Sequence, residues 1–214
     1  GDKASMQKAV WHYRQAIETD PGMKTAWRNL ANLYFRAAQY EDALLTYQQA
    51  NESGLNDLYL AMGEGNCLMQ LKKINEAQIA YAQAVKSFPD SPLPLYSLAM
   101  ACEKLQLFSD ASNYLQKAAQ FDHLPAFYKL FELHFAQKIS LSEQQTADLS
   151  DKACRLTDFT DPWLMQILAA SYLNTGKKNE AAGILHRALK LAEQQNKKSL
   201  ADEITTNIKL CTEN

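Results

Sequence analysis

Apolar residues recur along the chain in a fixed pattern of small and large side chains. An alanine is followed four residues later by a large side chain and seven residues later by a second alanine, and the pattern returns every 34 residues. Spacing of this kind places all three positions on one face of a helix. The small residues let a neighbouring helix approach closely around the larger one. The three columns are Ala9, Ala43, Ala77 and Ala111; Tyr13, Tyr47, Tyr81 and Leu115; and Ala16, Ala50, Ala84 and Ala118.

A second apolar pattern precedes each of these helices, with spacing i, i+3, i+4, i+7. Its members are Trp27, Leu30, Ala31 and Tyr34; then Ala61, Gly65 and Leu68; then Leu95, Leu98, Ala99 and Cys102. Only short connectors separate the two helices of each pair, at about 38–40, 72–74 and 106–108. Turns this short make the paired helices antiparallel neighbours. We therefore expect two-thirds or more helix and no sheet.

These residues resemble the tetratricopeptide repeat family. Its 34-residue unit pairs Trp-x-x-Leu-Gly/Ala-x-x-Tyr with a later Ala-x-x-x-Phe/Tyr-x-x-Ala and often a closing Pro. The matches are Trp27-x-x-Leu30-Ala31-x-x-Tyr34, Ala43-x-x-x-Tyr47-x-x-Ala50, and Pro21 and Pro89 at the closing position. The resemblance implies an all-α fold, a right-handed α-solenoid (superhelix) of antiparallel helix pairs.

We expect residues 1–214 to form a single array of such units. A half unit at 4–22 precedes five full units at about 24–57, 58–91, 92–125, 126–161 and 162–195, and a capping helix follows at about 198–212. The distance from Ala111 to Ala181 is two units plus two residues, which predicts an insertion near 138–141. Ser142 then opens a capping box, and Asp161-Pro162 predicts a later helix start. The last helix would shield the apolar end of the array.

Composition and charge argue against several classes of function. A hydrophobic fraction of 47% with 7 Gly and 6 Pro favours packed helices. A net charge of −2 gives no general attraction to nucleic acid, and no apolar stretch approaches the ~18 residues that direct membrane insertion requires. The four cysteines lack C-x-x-C spacing, which favours buried free thiols and a reducing, cytoplasmic location.

No residue pattern predicts a catalytic, cofactor or metal site. The four histidines, at positions 12, 123, 134 and 186, match no ligand spacing, and Cys154 has no histidine arranged to activate it. Gly63-x-Gly65 lacks the third glycine and the Lys-Ser/Thr of a phosphate loop. Gly65 instead occupies the family's small-residue position. We therefore expect a protein that is not an enzyme and holds no cofactor or metal.

The resemblance also implies a binding surface, because the first helix of each unit lines the concave groove in this family. These positions are rich in Met and aromatic side chains, which adapt to apolar partners; the alternative is that they pack between repeats. Asn32 and Asn66, one repeat apart, could clamp a peptide backbone. The predicted partner-binding residues are Arg28, Asn32, Phe35, Arg36, Tyr59, Met62, Asn66, Met69, Leu93, Tyr96, Met100 and Trp163.

One subfamily holds the C-terminal carboxylate of chaperone peptides with a Lys/Asn/Arg clamp. Asn32 matches that clamp, and Arg28 stands where it has Lys. Gly63, Leu93 and Ser97 replace its other polar groups. This departure argues against chaperone-tail binding.

The leading hypothesis is a non-catalytic scaffold that binds a peptide or helix of a protein partner in the groove. The alternative is the repeat region of a larger bacterial membrane-associated or glycosyltransferase-type protein, serving in substrate or partner recruitment. Residues 161–172 and 188–195 resemble the closing unit of some bacterial proteins of this family. A third hypothesis is self-association, with the terminal helix of one copy filling the groove of another.

The alanine columns generate a stability prediction. Ala43→Trp or Ala77→Trp should lower the melting temperature sharply, because overpacking a helix contact typically costs ~1–3 kcal/mol or more. Lys72→Ala should leave it nearly unchanged. Equal melting temperatures for all three variants would contradict the packing assignment.

Overall fold

The structure is a computed structural model that describes residues 3–212. Those residues form twelve α-helices and no β-strand, and 79% of them are helical. The predicted all-α class of antiparallel helix pairs is confirmed. The chain separates into two compact units, one ending at Phe121 and the other beginning at Asp122.

The first unit contains seven helices, each packed against the next one along the chain. The first helices of the first two predicted full units also contact each other directly. The helices are α1 (Lys3–Thr19), α2 (Lys24–Arg36), α3 (Tyr40–Glu52), α4 (Leu58–Gln70), α5 (Ile74–Ser87), α6 (Pro92–Lys104) and α7 (Phe108–Gln120).

The second unit contains five helices, again packed in chain order. They are α8 (Leu124–Phe135), α9 (Glu143–Leu156), α10 (Pro162–Asn174), α11 (Lys178–Gln194) and α12 (Lys198–Thr212). Helix α8 begins two residues before the boundary predicted at about 126. The division of the whole chain into one array of a half unit, five full units and a cap stays a prediction.

The connectors inside the helix pairs of the first unit share one conformation. Ala38, Lys72 and Gln106, spaced 34 residues apart, have φ of 58°, 62° and 61°. The next amide in each connector donates back to a carbonyl in the last turn of the preceding helix, as from Gln39 to Tyr34 at 3.0 Å. This is the Schellman stop, in which a left-handed residue ends the helix. Glycine usually holds that position, and here three other residue types do.

The alanine columns form the contacts between helices. Ala43, Ala50, Ala77 and Ala84 have almost no exposed surface. The rings between them fill space that only glycine leaves open. A Cβ added to Gly63 would overlap the Tyr47 ring, and one added to Gly65 would lie 2.5 Å from Tyr81 Cε1.

The second unit contains the irregular connector. Residues 136–142 join α8 to α9, where the connectors at 37–39 and 71–73 have three residues. Leu141 N–H donates to His134 Nδ1 at 3.2 Å, which ties the long connector to α8. Ser142 and Gln145 form the predicted capping box, and Asp161 caps α10 ahead of Pro162. The insertion and both helix starts are confirmed.

Gly63→Ala tests the ring contact. Alanine normally stabilises a helix interior by ~1 kcal/mol relative to glycine, but the new methyl group must displace the buried ring of Tyr47. We expect a lower urea midpoint for Gly63→Ala. Gly183→Ala is the matched control, because Gly183 is exposed within α11 and its Cβ would meet nothing within 4 Å. That variant should be more stable than wild type. A stabilising effect of both substitutions would show that the ring does not require the glycine.

Candidate functional site

The predicted partner-binding residues fall into two groups. Eleven belong to the first unit and stand on its first helices, four on α2, four on α4 and three on α6; Trp163 is on α10 in the second unit. None of the twelve is buried. We call the eleven residues the α2–α4–α6 surface: Arg28, Asn32, Phe35, Arg36, Tyr59, Met62, Asn66, Met69, Leu93, Tyr96 and Met100.

Part of this surface is already used in packing. Phe35 is half-buried, meets the Tyr40 ring edge-on at 5.3 Å between centroids, and packs against the core that contains Tyr34. Met69 packs against the next core cluster, around Tyr81. Tyr59, in contrast, is 58% exposed. Phe35 and Met69 therefore pack inward, as the alternative expected, whereas Tyr59 lies at the surface and its role in binding stays a prediction.

Two buried tyrosines orient the two asparagines. The Tyr47 hydroxyl donates to Asn32 Oδ1 at 2.8 Å, and the Tyr81 hydroxyl donates to Asn66 Oδ1 at 2.7 Å. In each case the tyrosine comes from the second helix of the pair and the exposed asparagine from the first. Burial, with the nearby Cys67, raises the pKa of Tyr47 to about 12. The hydroxyl therefore remains a proton donor at any physiological pH.

The third pair lacks both partners. Leu115 stands in the tyrosine column and Met100 stands one repeat after Asn66. Leu115 has no hydroxyl to donate and Met100 has no amide to accept, so this pair cannot make the tyrosine–asparagine hydrogen bond. Among these three helix pairs of the first unit, the oriented amide therefore occurs on α2 and α4.

The charges on α2 are all positive. Its sequence, KTAWRNLANLYFR, contains no acidic residue. The Arg28 guanidinium lies 5.6 Å from the centroid of the Tyr59 ring on α4, within cation–π range. This contact brings predicted residues of adjacent first helices together. An anionic or polar partner would meet no acidic side chain on α2.

Helices α1 and α2 border a cavity of about 380 Å³ that sequence reasoning described only in part. Asn32 and Arg36 line it as predicted, but Tyr13 and Asn29 line it too. The position of Tyr13 in the tyrosine column predicts a packing role for it. The sequence could have predicted Asn29 as a lining residue, because it lies three residues before Asn32 and therefore on the same face of α2.

Trp163 occupies a different environment in the second unit. Its ring stacks on Tyr128 with 5.6 Å between centroids, and the rings of Phe131 and Phe135 meet it edge-on. The Tyr128 hydroxyl donates to Asp161, the residue that caps α10. Trp163 therefore belongs to an aromatic cluster that joins α8 to α10.

Three of the four cysteines are poorly suited to nucleophilic chemistry. Cys67, Cys102 and Cys154 are buried free thiols, and burial is the first cause of a raised pKa in each, to about 12 for Cys67 and Cys154. A thiolate is the reactive form, so these thiols stay protonated and inert. Within residues 3–212 no three His, Cys, Asp or Glu side chains are grouped to hold a metal ion. No helix there is long and apolar enough to span a bilayer.

Comparison with known proteins agrees with this architecture. Tetratricopeptide repeat families match residues 5–67 and 58–91. Among curated proteins, "Protein O-mannosyl-transferase tmtc2" of Xenopus laevis is 39% identical over 67 residues. That match covers 29% of this chain and only 8% of the frog protein.

Solved structures share the fold at low sequence identity. YrrB, described as a TPR protein with an unusual peptide-binding site, has a TM-score of 0.62 at 19% identity, over 91% of this chain and 97% of its own. MamA has 0.59 at 18%, over 81% and 93%. Yeast Tom70 has 0.59 at 14%, over 95% of this chain and 42% of its own. The family matches therefore identify residues 5–91 as tetratricopeptide repeats, and the solved structures show that the chain shares the fold of such proteins.

Proposed function

We propose that the chain is a non-catalytic scaffold that binds a peptide or helix of a partner protein on the α2–α4–α6 surface. The observation that carries the proposal is the repeated tyrosine–asparagine hydrogen bond. It holds Asn32 and Asn66 by equivalent hydrogen bonds on adjacent first helices while both asparagines stay exposed. A structural role alone needs the amide oxygen but not the exposed NH₂ group.

Two oriented amides suit an extended peptide. Each NH₂ group is left as a donor, and each Oδ1 keeps a second lone pair. Packed helices stand ~8–10 Å apart, and a strand rises ~3.3 Å per residue. The two amides would therefore engage backbone groups about three residues apart in the bound peptide.

Affinity would come from apolar anchors next to these amides. Tyr59 is largely exposed and is flanked by Met62 on the same helix. Aromatic residues supply large contact area and are enriched among interface residues that dominate binding energy. Arg28, over the Tyr59 ring, would add specificity for a partner with acceptor groups at that point.

The rest of the chain fits the same function. Binding without catalysis is typical of this fold, and the peptide-binding description of YrrB supports the assignment. We further propose that the second unit continues the array, with α12 as its cap and Trp163 as a further partner-binding residue. The buried free thiols favour a reducing compartment such as the cytoplasm.

A second candidate function is partner or substrate recruitment within a longer protein. The similarity to the O-mannosyl-transferase favours it, because the match spans 67 residues of a protein that is much longer than this chain. The full-length reading frame would decide between the two candidates. Self-association through α12 is a further proposal that sedimentation analysis can test.

A random peptide library, selected on the wild-type chain, tests the groove. Enriched peptides should lose affinity at least about tenfold for Asn32→Asp/Asn66→Asp, which keeps an acceptor for each tyrosine but removes the NH₂ donors. Tyr59→Ala should lose about as much.

Matched controls distinguish this surface from others. Asn113→Asp makes the same change at an exposed position on α7, and Ile79→Ala removes a 61% exposed apolar side chain from α5. Both should bind selected peptides as wild type does. Retention of affinity by the asparagine and Tyr59 variants would place the binding site elsewhere.

A further inference from the structure

A second cavity in the first unit has no place in the proposed groove. It has a volume of about 270 Å³ and lies among the end of α3, the loop that follows it, α4 and the end of α5. Glu64 lines it from α4. By the helical period, Glu64 lies on the far side of α4 from Asn66. The cavity is therefore separate from the α2–α4–α6 surface.

Comparison between repeats shows how the cavity arises. Trp27 and Leu30 in the preceding repeat, and Leu95 and Leu98 in the following one, are buried apolar side chains. The equivalent positions on α4 hold Ala61 and Glu64, one small and one charged, and neither is fully buried. This substitution removes volume from an apolar contact and adds a carboxylate. A local break of the packing rule without a stabilising gain is typical of a functional position.

Side chains on α3 orient the carboxylate. Gln48 Nε2 donates to Glu64 Oε1 at 3.2 Å, and Asn51 Nδ2 donates to Glu64 Oε2 at 3.3 Å. An ionised carboxylate accepts about four hydrogen bonds. Two neutral donors therefore fix its position and leave acceptor capacity for a ligand.

The electrostatics of the cavity favour a cation. Its lining includes the carboxylates of Glu64 and Asp57 and no lysine, arginine or histidine. Helices α3 and α5 both end at the cavity, and a helix C-terminus carries partial negative charge. The N-terminus of α4 is also close, but Asp57 accepts its Tyr59 and Leu60 amides. Lys24 of α2 is not among the lining residues, and its ammonium group donates to the carbonyl of Asn56, which is, at 2.8 Å.

We propose that this cavity binds an alkylammonium or guanidinium group, carried by a lysine or arginine side chain of a partner or by a free polyamine. Glu64 would pair with the charged head. The apolar side chains of Leu55, Ala61 and Phe88, which are only partly buried, would cover the alkyl stem, as apolar surfaces do for lysine stems elsewhere. Gln83 and Ser87 supply further acceptors at the α5 wall.

Titration of the full chain with small probes, followed by amide NMR shifts, tests the site. The probes are Nα-acetyl-lysine methylamide, spermidine and the uncharged Nα-acetyl-norleucine methylamide. We expect saturable shifts around Ala61, Glu64 and Gln83 with the two charged probes only. Tighter binding of the lysine derivative identifies a protein side chain as the ligand, and tighter binding of spermidine identifies a free polyamine. No saturable shifts, or equal shifts with the norleucine probe, would overturn the proposal.

Two substitutions at one position separate charge from shape. Glu64→Gln keeps the shape and should weaken binding of the charged probes at least about tenfold. Glu64→Leu restores the residue type of the flanking repeats, so it should abolish binding and raise the urea midpoint. Glu76→Gln, at an exposed position on α5, is the control and should bind as wild type does. Unchanged binding by Glu64→Gln would overturn the proposal, whatever the outcome for peptide binding in the groove.

Discussion

The close contact between each second helix and the first helices beside it is the constraint on which the first unit depends. Alanines flank a single large side chain in each second helix, a tyrosine ring in α3 and α5 and Leu115 in α7, so the helices meet around that side chain. Tyr47 and Tyr81 are only 4% and 3% exposed. Their rings reach α4 because Gly63 and Gly65 have no Cβ to block them. The spacing of the helices and the burial of the two rings therefore both depend on the two glycines of α4.

The same tyrosines connect the packed interior to the exposed surface. Each ring is buried between helices, yet its hydroxyl reaches the edge of the first helix and holds an asparagine amide there. Where Leu115 replaces the tyrosine, Met100 replaces the asparagine, and the surface becomes apolar. The polar part of the proposed peptide site thus depends on the identity of a core residue. A tyrosine in this position has both a packing and an orienting role.

The repeat also reveals positions where the residue type differs from that of the neighbouring repeats. Most positions of the 34-residue unit repeat a residue type because the same helix contact recurs. Ala61 and Glu64 interrupt that recurrence between two repeats that fill the equivalent space with apolar side chains. The resulting cavity is lined by two carboxylates, and two helices end at it. Because repeat proteins are stabilised by many similar neighbour contacts, one contact can be weakened without loss of the fold.

The sequence by itself determined the helices, their period, the long connector before Ser142 and the caps at Ser142 and Asp161, because these features depend on local spacing and local hydrogen bonds. It also placed Asn32 and Asn66 one repeat apart. Only the tertiary structure decided which groove residues pack inward, which partners orient the asparagines, and where Glu64 meets a cavity. These outcomes depend on contacts between helices distant in sequence. The left-handed residues Ala38, Lys72 and Gln106, which end their helices, were also decided by the tertiary structure. No glycine marks these positions in the sequence, and the antiparallel packing of each helix pair imposes the conformation.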